Sequence, residues 1–113
     1  MPSYFYIQSA LNGLVIDITG SNPNPRAPLI AWTKNPGGTA NQLWYLDPDG
    51  YIVSKLNGFV IDITASGPSG TPLIAYPKNS PRTPNQIWSL QPSGYIVSAL
   101  NNLVIDIKGS GGP

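Results

Sequence analysis

Asn41-Gln42-Leu43-Trp44 returns 44 residues later as Asn85-Gln86-Ile87-Trp88. Each tetrad closes a block of text that the chain repeats almost whole. The shared phrases are Ser-x-Leu-Asn-Gly-x-Val-Ile-Asp-Ile, then Pro-Leu-Ile-Ala-(Trp/Tyr)-x-Lys-Asn, then Asn-Gln-x-Trp. Tyr6, Tyr51 and Tyr95 align across the blocks, as do Asp17, Asp62 and Asp106. The blocks run from about residue 4 to 50, 51 to 94 and 95 to 113. The third stops before reaching an Asn-Gln-x-Trp of its own. The 113 residues therefore read as a single domain assembled from repeats.

Within a block no helical periodicity shows. The second block reads as four short strands: Tyr51 to Ser54, Phe59 to Thr64, Pro72 to Tyr76 and Gln86 to Leu90. Asn57-Gly58 between the first two is hairpin chemistry, because it readily supplies positive φ. Asn102 takes the glycine's place in the third block, and Asn is the side chain that best tolerates that backbone region. Gly- and Pro-rich loops join the remaining strands. The expected class is all-β, with four-stranded repeats of ~44 residues and the third truncated.

Composition narrows the chemistry. The chain has no Cys, His or Glu. Disulfides and thiolate sites are excluded, and the commonest general base and metal ligand are missing. Five Asp face six Lys and Arg, so no strong field favours nucleic acid. No stretch is long and apolar enough to span a bilayer as a helix. The first residues lack the basic start and apolar run of a signal peptide. The expectation is a cytoplasmic protein, or one released without a classical signal.

Strand alternation assigns faces. In Leu14-Val15-Ile16-Asp17-Ile18-Thr19, the face of Leu14, Ile16 and Ile18 is expected to be core, with Asp17 pointing away from it. Three of the five acids occupy this one repeat position. In the third strand Leu29 and Ala31 share one face, and Ile30 and Trp32 the other. An aromatic ring, a carboxylate and the Asn-Gln amides are the set a sugar ring needs: a flat apolar platform and hydrogen-bonding groups for adjacent hydroxyls. A structural reading competes for the Asp residues, because a carboxylate at a strand end can accept N–H groups of the following loop. Trp44 and Trp88 read as core. Asp47-Pro48-Asp49-Gly50 reads as a turn rather than a calcium loop. Lys34 and Lys78 read as solvated loop charges.

The two Gln-x-Trp tetrads, the Asp-bearing Leu-Val-Ile-Asp-Ile and the aromatic before the loop together resemble the ricin B-type lectins. The resemblance covers nearly the whole chain. It implies a β-trefoil, three four-stranded repeats about a pseudo-threefold axis, and galactose- or N-acetylgalactosamine-type glycans as ligands. Carried onto this sequence, it implies a first site of Asp17, Trp32, Asn35, Asn41 and Gln42. The second would comprise Asp62, Tyr76, Asn79, Asn85 and Gln86. Asp106 has no such company, and its expected role is structural.

The incomplete third repeat departs from the family pattern. It leads to the expectation of a homo-oligomer or a fragment of a longer chain, rather than a stable open monomer. The implied role is non-enzymatic: no catalytic residues, no metal, no cofactor, and glycans or glycoproteins as partners, without nucleic acid or membrane insertion. A protein-binding trefoil, such as a protease inhibitor or toxin-targeting module, is the alternative.

Overall fold

The computed structural model describes residues 3–107. Eight short strands are present: β1 (Val15–Ile18), β2 (Ala27–Trp32), β3 (Trp44–Leu46), β4 (Ile52–Ser54), β5 (Val60–Ile63), β6 (Leu73–Tyr76), β7 (Trp88–Leu90) and β8 (Ile96–Ser98). The first six form one antiparallel sheet in the order β1-β2-β6-β5-β4-β3, and β7 pairs with β8. A hydrogen bond from Trp88 N–H to the Gly50 carbonyl, 2.8 Å, ties the second sheet to the first. On the other side Phe5 and Trp44 exchange backbone hydrogen bonds of 2.8 and 3.0 Å, so the N-terminal segment extends the sheet beside β3.

The repeated Ser-x-Leu-Asn phrase is a hairpin held by its own side chains. Ser9, Ser54 and Ser98 each accept the N–H of the residue two places on, at 2.9–3.0 Å. Asn12, Asn57 and Asn101 do the same for Leu14, Phe59 and Leu103, at 3.0–3.1 Å. These are the local side-chain bonds that Ser and Asn make in turns. The next position has φ of +73°, +76° and +60° at Gly13, Gly58 and Asn102. The Asn for Gly exchange therefore leaves the turn unchanged.

Trp44 and Trp88 lie at the centre of the core with Ile18, Ile52, Ile61 and Ile63. Each indole N–H, a donor that burial obliges to find an acceptor, donates to the carbonyl just before a repeated Asp. Trp44 reaches Ile16 O at 3.2 Å and Trp88 reaches Ile61 O at 3.0 Å.

The expected faces hold, with a correction to burial. Ile18 is core with Ile16 packed against it, and Asp17 lies on the opposite face. Yet Val15 and Asp17 are buried as well, while Leu14 and Ile16 are only partly buried. Their equivalent in the second repeat, β5, is buried on both faces. The fourth strand is also shorter than expected. Ala40–Gln42 and Pro84–Gln86 are single 3₁₀ turns, and strand begins only at the Trp of each tetrad.

Among the described residues the third repeat contributes β8 and a Val97–Val104 bridge. Beside it lies an apolar groove of about 370 Å³, lined by Ile7, Leu14, Ile16, Ile96 and Ile105 among others. This groove is why Leu14 and Ile16 are less covered than the face rule expects. In the same repeat Tyr95 is 60% exposed, whereas its counterpart Tyr51 is 6% exposed. Asp106 is exposed at the groove's edge. Residues 108–113 of the third repeat lie outside the described residues. Among those described, no helix is long and apolar enough to cross a membrane.

Trp44→Ala is expected to lower the unfolding free energy by about 3–5 kcal/mol, as for other buried aromatics. Trp32→Ala, at a half-exposed position, should change it by about 0.5 kcal/mol or less. Urea denaturation of both variants checks this, and equal losses would mean the two indoles have been assigned the wrong roles.

Candidate functional site

The site is built from the end of β1, the end of β2 and the 3₁₀ turn before β3. In the β1–β2 ladder Asp17 pairs with Ile30 and Val15 with Trp32. Directly paired residues project to the same side of a sheet, so the carboxylate and the indole share a face. The 3₁₀ turn, closed by Gln42 N–H to Thr39 O at 3.1 Å, swings two amides onto that carboxylate. Asn41 Nδ2 donates to Asp17 Oδ1 at 3.1 Å, and Gln42 Nε2 donates to Asp17 Oδ2 at 2.8 Å. Gln42 Nε2 also donates to Thr33 O at 2.9 Å, and Gln42 Oε1 accepts the Asn35 N–H at 2.8 Å. Asn35 Nδ2 in turn holds Thr39 Oγ1 at 3.0 Å.

The second site repeats this wiring. Asn85 Nδ2 donates to Asp62 Oδ1 at 3.3 Å and Gln86 Nε2 to Asp62 Oδ2 at 2.8 Å. Gln86 also bonds Pro77 O at 2.9 Å and accepts the Asn79 N–H at 2.8 Å. Asn79 Nδ2 holds Thr83 Oγ1 at 2.7 Å. Among the described residues no buried side-chain polar atom lacks a partner. That is the condition under which a carboxylate can sit below the surface.

The structure thus brings Asp17, Trp32, Asn35 and Asn41 together around an open concavity of about 450 Å³. Trp32 is 45% exposed at its wall. Gln42 is drawn in behind Asp17 and is 0% exposed, as is Gln86 behind Asp62. Both side-chain hydrogens of each glutamine are already donated. Neither amide therefore has a donor for a ligand, and each orients the carboxylate and the Asn35 or Asn79 loop. Tyr76 is the half-buried counterpart of Trp32, and the Arg26 guanidinium stands 5.9 Å from its ring centroid.

Thr19, Gly20, Ser21 and Thr39 also border the first concavity, a contribution the sequence reading did not single out. The repeated Thr after Ile-Asp-Ile was the available signal. Thr19 and Thr64 each donate Oγ1–H across the loop, to Pro28 O at 2.9 Å and Pro72 O at 2.8 Å.

Two loop features settle differently. Asp47 caps its turn as expected, accepting the N–H of Asp49 at 2.9 Å and of Tyr51 at 3.1 Å. Lys78 and Lys34, however, are not merely solvated. Lys78 pairs with Asp47 at 3.1 Å above the Tyr51 ring, and Lys34 lies 4.4 Å from the Tyr6 ring centroid. Such cation–ring contacts fasten the loops that carry Asn79 and Asn35.

Burial pushes the Asp62 carboxyl above its ordinary 3.8, and the hydrogen bonds from Gln86 and Asn85 oppose that rise. Desolvation wins because two neutral amides restore only part of the hydration the carboxylate has given up.

The ricin-type beta-trefoil lectin domain family matches residues 3–113. The C-half of the earthworm R-type lectin, solved in complex with GalNAc, is 40% identical with a TM-score of 0.82. The match spans 96% of this chain and 80% of that one. A mutant of the earthworm lectin C-terminal domain, in complex with 6'-sialyllactose, is 41% identical with a TM-score of 0.72, over 85% of this chain and 69% of that one. The designed three-fold symmetric protein ThreeFoil has the same fold, with a TM-score of 0.86 at 22% identity, over 96% of this chain and 81% of that one. No curated protein matches. The chain belongs to the ricin-type β-trefoil lectin domain family.

Gln86→Leu is expected to cost about 1–3 kcal/mol, because it strands a buried carboxylate oxygen and the Asn79 N–H. It should also raise the Asp62 pKa further, since a lowering hydrogen bond is lost. The folded carboxyl binds its proton more tightly than the unfolded one. Asp62 therefore favours folding below 3.8, and that contribution is lost as pH rises through the raised value. Carboxyl NMR titration of the variant checks the direction, and a fall in the Asp62 pKa would contradict it.

Proposed function

We propose that the protein is a carbohydrate-binding lectin for galactose- and N-acetylgalactosamine-type glycans, with one shallow site in each complete repeat. The observation that carries this is the buried Asp-Asn-Gln cluster beside a half-exposed aromatic, constructed twice on one pattern. In the first site the Asp17 carboxylate accepts hydroxyl protons with the lone pairs left free by Asn41 and Gln42. Asn41 turns its remaining oxygen to the concavity, and Trp32 offers its face to the C–H side of the ring. Asn35 and Thr39 complete the polar rim. Asp62, Asn85, Tyr76 and Asn79 take the same parts in the second site. The earthworm lectin C-half bound to GalNAc supports the sugar class.

The arrangement supports binding rather than catalysis. Glycoside hydrolysis ordinarily needs two carboxyl groups flanking one bond. Each site here has one carboxylate, held by amides in an acceptor role. Shallow sites are weak singly, and two on one chain gain through effective concentration on a glycan-dense surface.

A glycan array scoring galactose-, N-acetylgalactosamine- and mannose-terminated glycans tests the reading, alongside the double variant Asp17→Ala/Asp62→Ala. Selective galactose-type binding that the double variant loses, with its circular dichroism unchanged, is the expected result. A blank from the folded parent chain would overturn it. Acidification gives a second check. In Asp17→Ala, which leaves the second site alone, affinity should fall as pH drops through the raised Asp62 pKa, because protonation removes the acceptor.

A further inference from the structure

The second site has arginines that the first lacks: Arg26 beside Tyr76, and Arg82 where the first loop has Gly38. The lining of the first concavity holds no Lys or Arg. At the second, β2 pairs with β6 on its outer side, with Ala27 opposite Ala75 and Pro28 opposite Ile74. Continuing that register by one residue sets Arg26 opposite Tyr76, and Arg26 N–H donates to Ala75 O at 2.9 Å. On the other side of β6, Val60 pairs with Tyr76 and Asp62 with Ile74. Directly paired residues share a face. The guanidinium and the Asp62 carboxylate therefore flank the Tyr76 ring from opposite sides, two strand spacings apart across the sheet and two residues apart along it, about 12 Å at the backbone. That span accommodates a sugar ring and one substituent.

Arg26 is held there at a conformational cost. Its φ is +71°, a backbone region that favours glycine, and its counterpart in the second repeat is Gly70 with φ +89°. A non-glycine residue is strained in this region. The guanidinium forms no ion pair and no side-chain hydrogen bond among the described residues, where the one salt bridge is Lys78–Asp47. The nearby Arg82, by contrast, is engaged with Asp49 O at 2.9 Å. A planar fork of five donors, 5.9 Å from the centroid of the platform ring and otherwise unfilled, is the shape that carboxylate and sulfate oxygens fit.

We propose that the second site selects glycans carrying an anionic group, a carboxylate or a sulfate ester, next to the galactose-type ring, with Arg26 as the anion's contact. The first site takes the neutral ring. This rests on the carbohydrate reading of the second site given above.

The test uses the full chain carrying Asp17→Ala, so that the second site is read alone. Titration calorimetry compares lactose, sialyllactose and sulfated lactose. The acidic glycans are expected to bind about fivefold more tightly than lactose, the upper measure of one exposed charge pair. Raised salt should erode the preference. Adding Arg26→Gly, which suits the positive φ as Gly70 does, should bring the ratio close to one. A preference for sialyllactose alone assigns a carboxylate, and one for sulfated lactose alone a sulfate ester. Equal binding of all three, or a preference that survives Arg26→Gly, overturns the anion assignment and leaves the sugar site standing. Silence toward all three from folded Asp17→Ala protein overturns both.

Discussion

A carboxylate taken out of water must find its hydrogen bonds inside the protein, and much of each complete repeat follows from that requirement. Asp17 and Asp62 are both 4% exposed, and each is met by an asparagine and a glutamine amide. Those amides arrive only because a single 3₁₀ turn precedes the fourth strand. The same glutamine grips the backbone of the loop after the platform aromatic, through Asn35 N–H or Asn79 N–H. One anion therefore sets the position of the tetrad, the loop and the rim of the concavity together. Removing any single amide leaves a buried charge short of a donor, a larger penalty than the loss of an ordinary surface bond.

The carboxylate's lone pairs are not exhausted by two amides, and that surplus connects structure to binding. A fully satisfied acid would be a structural strut, and a fully exposed one would be screened by water. Here the acid is fixed in direction and shielded, with acceptor capacity still turned to the concavity. In the proposed site the aromatic beside it supplies the apolar half of the recognition. Asn41 and Asn85 belong to both the framework and the rim, whereas Gln42 and Gln86 belong to the framework alone.

Much of this was legible in the sequence because the repeats fix periodicity and turn chemistry together. Asn57-Gly58, its variant Asn101-Asn102 and the core tryptophans could be read directly, since each follows from local backbone preference or from burial of a large ring. What escaped depended on neighbours several strands away. Strand alternation marked Asp17 as outward, and its carboxylate does border the concavity, but the amides of Asn41 and Gln42 that cover it come from a distant turn, so its burial could not be read from the strand. The glutamines read either as ligand contacts or as buried amides satisfying backbone groups, because nothing in Asn-Gln-x-Trp announces that the 3₁₀ turn folds one amide inward. Lys78 read as free because its partner Asp47 lies 31 residues away, in a different repeat. Arg26 stayed hidden because its counterpart is a glycine, so comparison of the repeats draws no attention to it.

The indole of each core tryptophan is bonded to the carbonyl immediately before the site's aspartate, at Ile16 and at Ile61. Interior and ligand surface are thus adjacent links of one backbone. In evolutionary terms, the stretch that encodes core residues also encodes the candidate site, so duplication copies the two as a single heritable cassette. Divergence is then channelled to positions outside that linkage: the tip of a loop, the identity of a platform ring, or a glycine exchanged for a charged side chain. Descendants of such a unit can change what they bind without renegotiating how they fold.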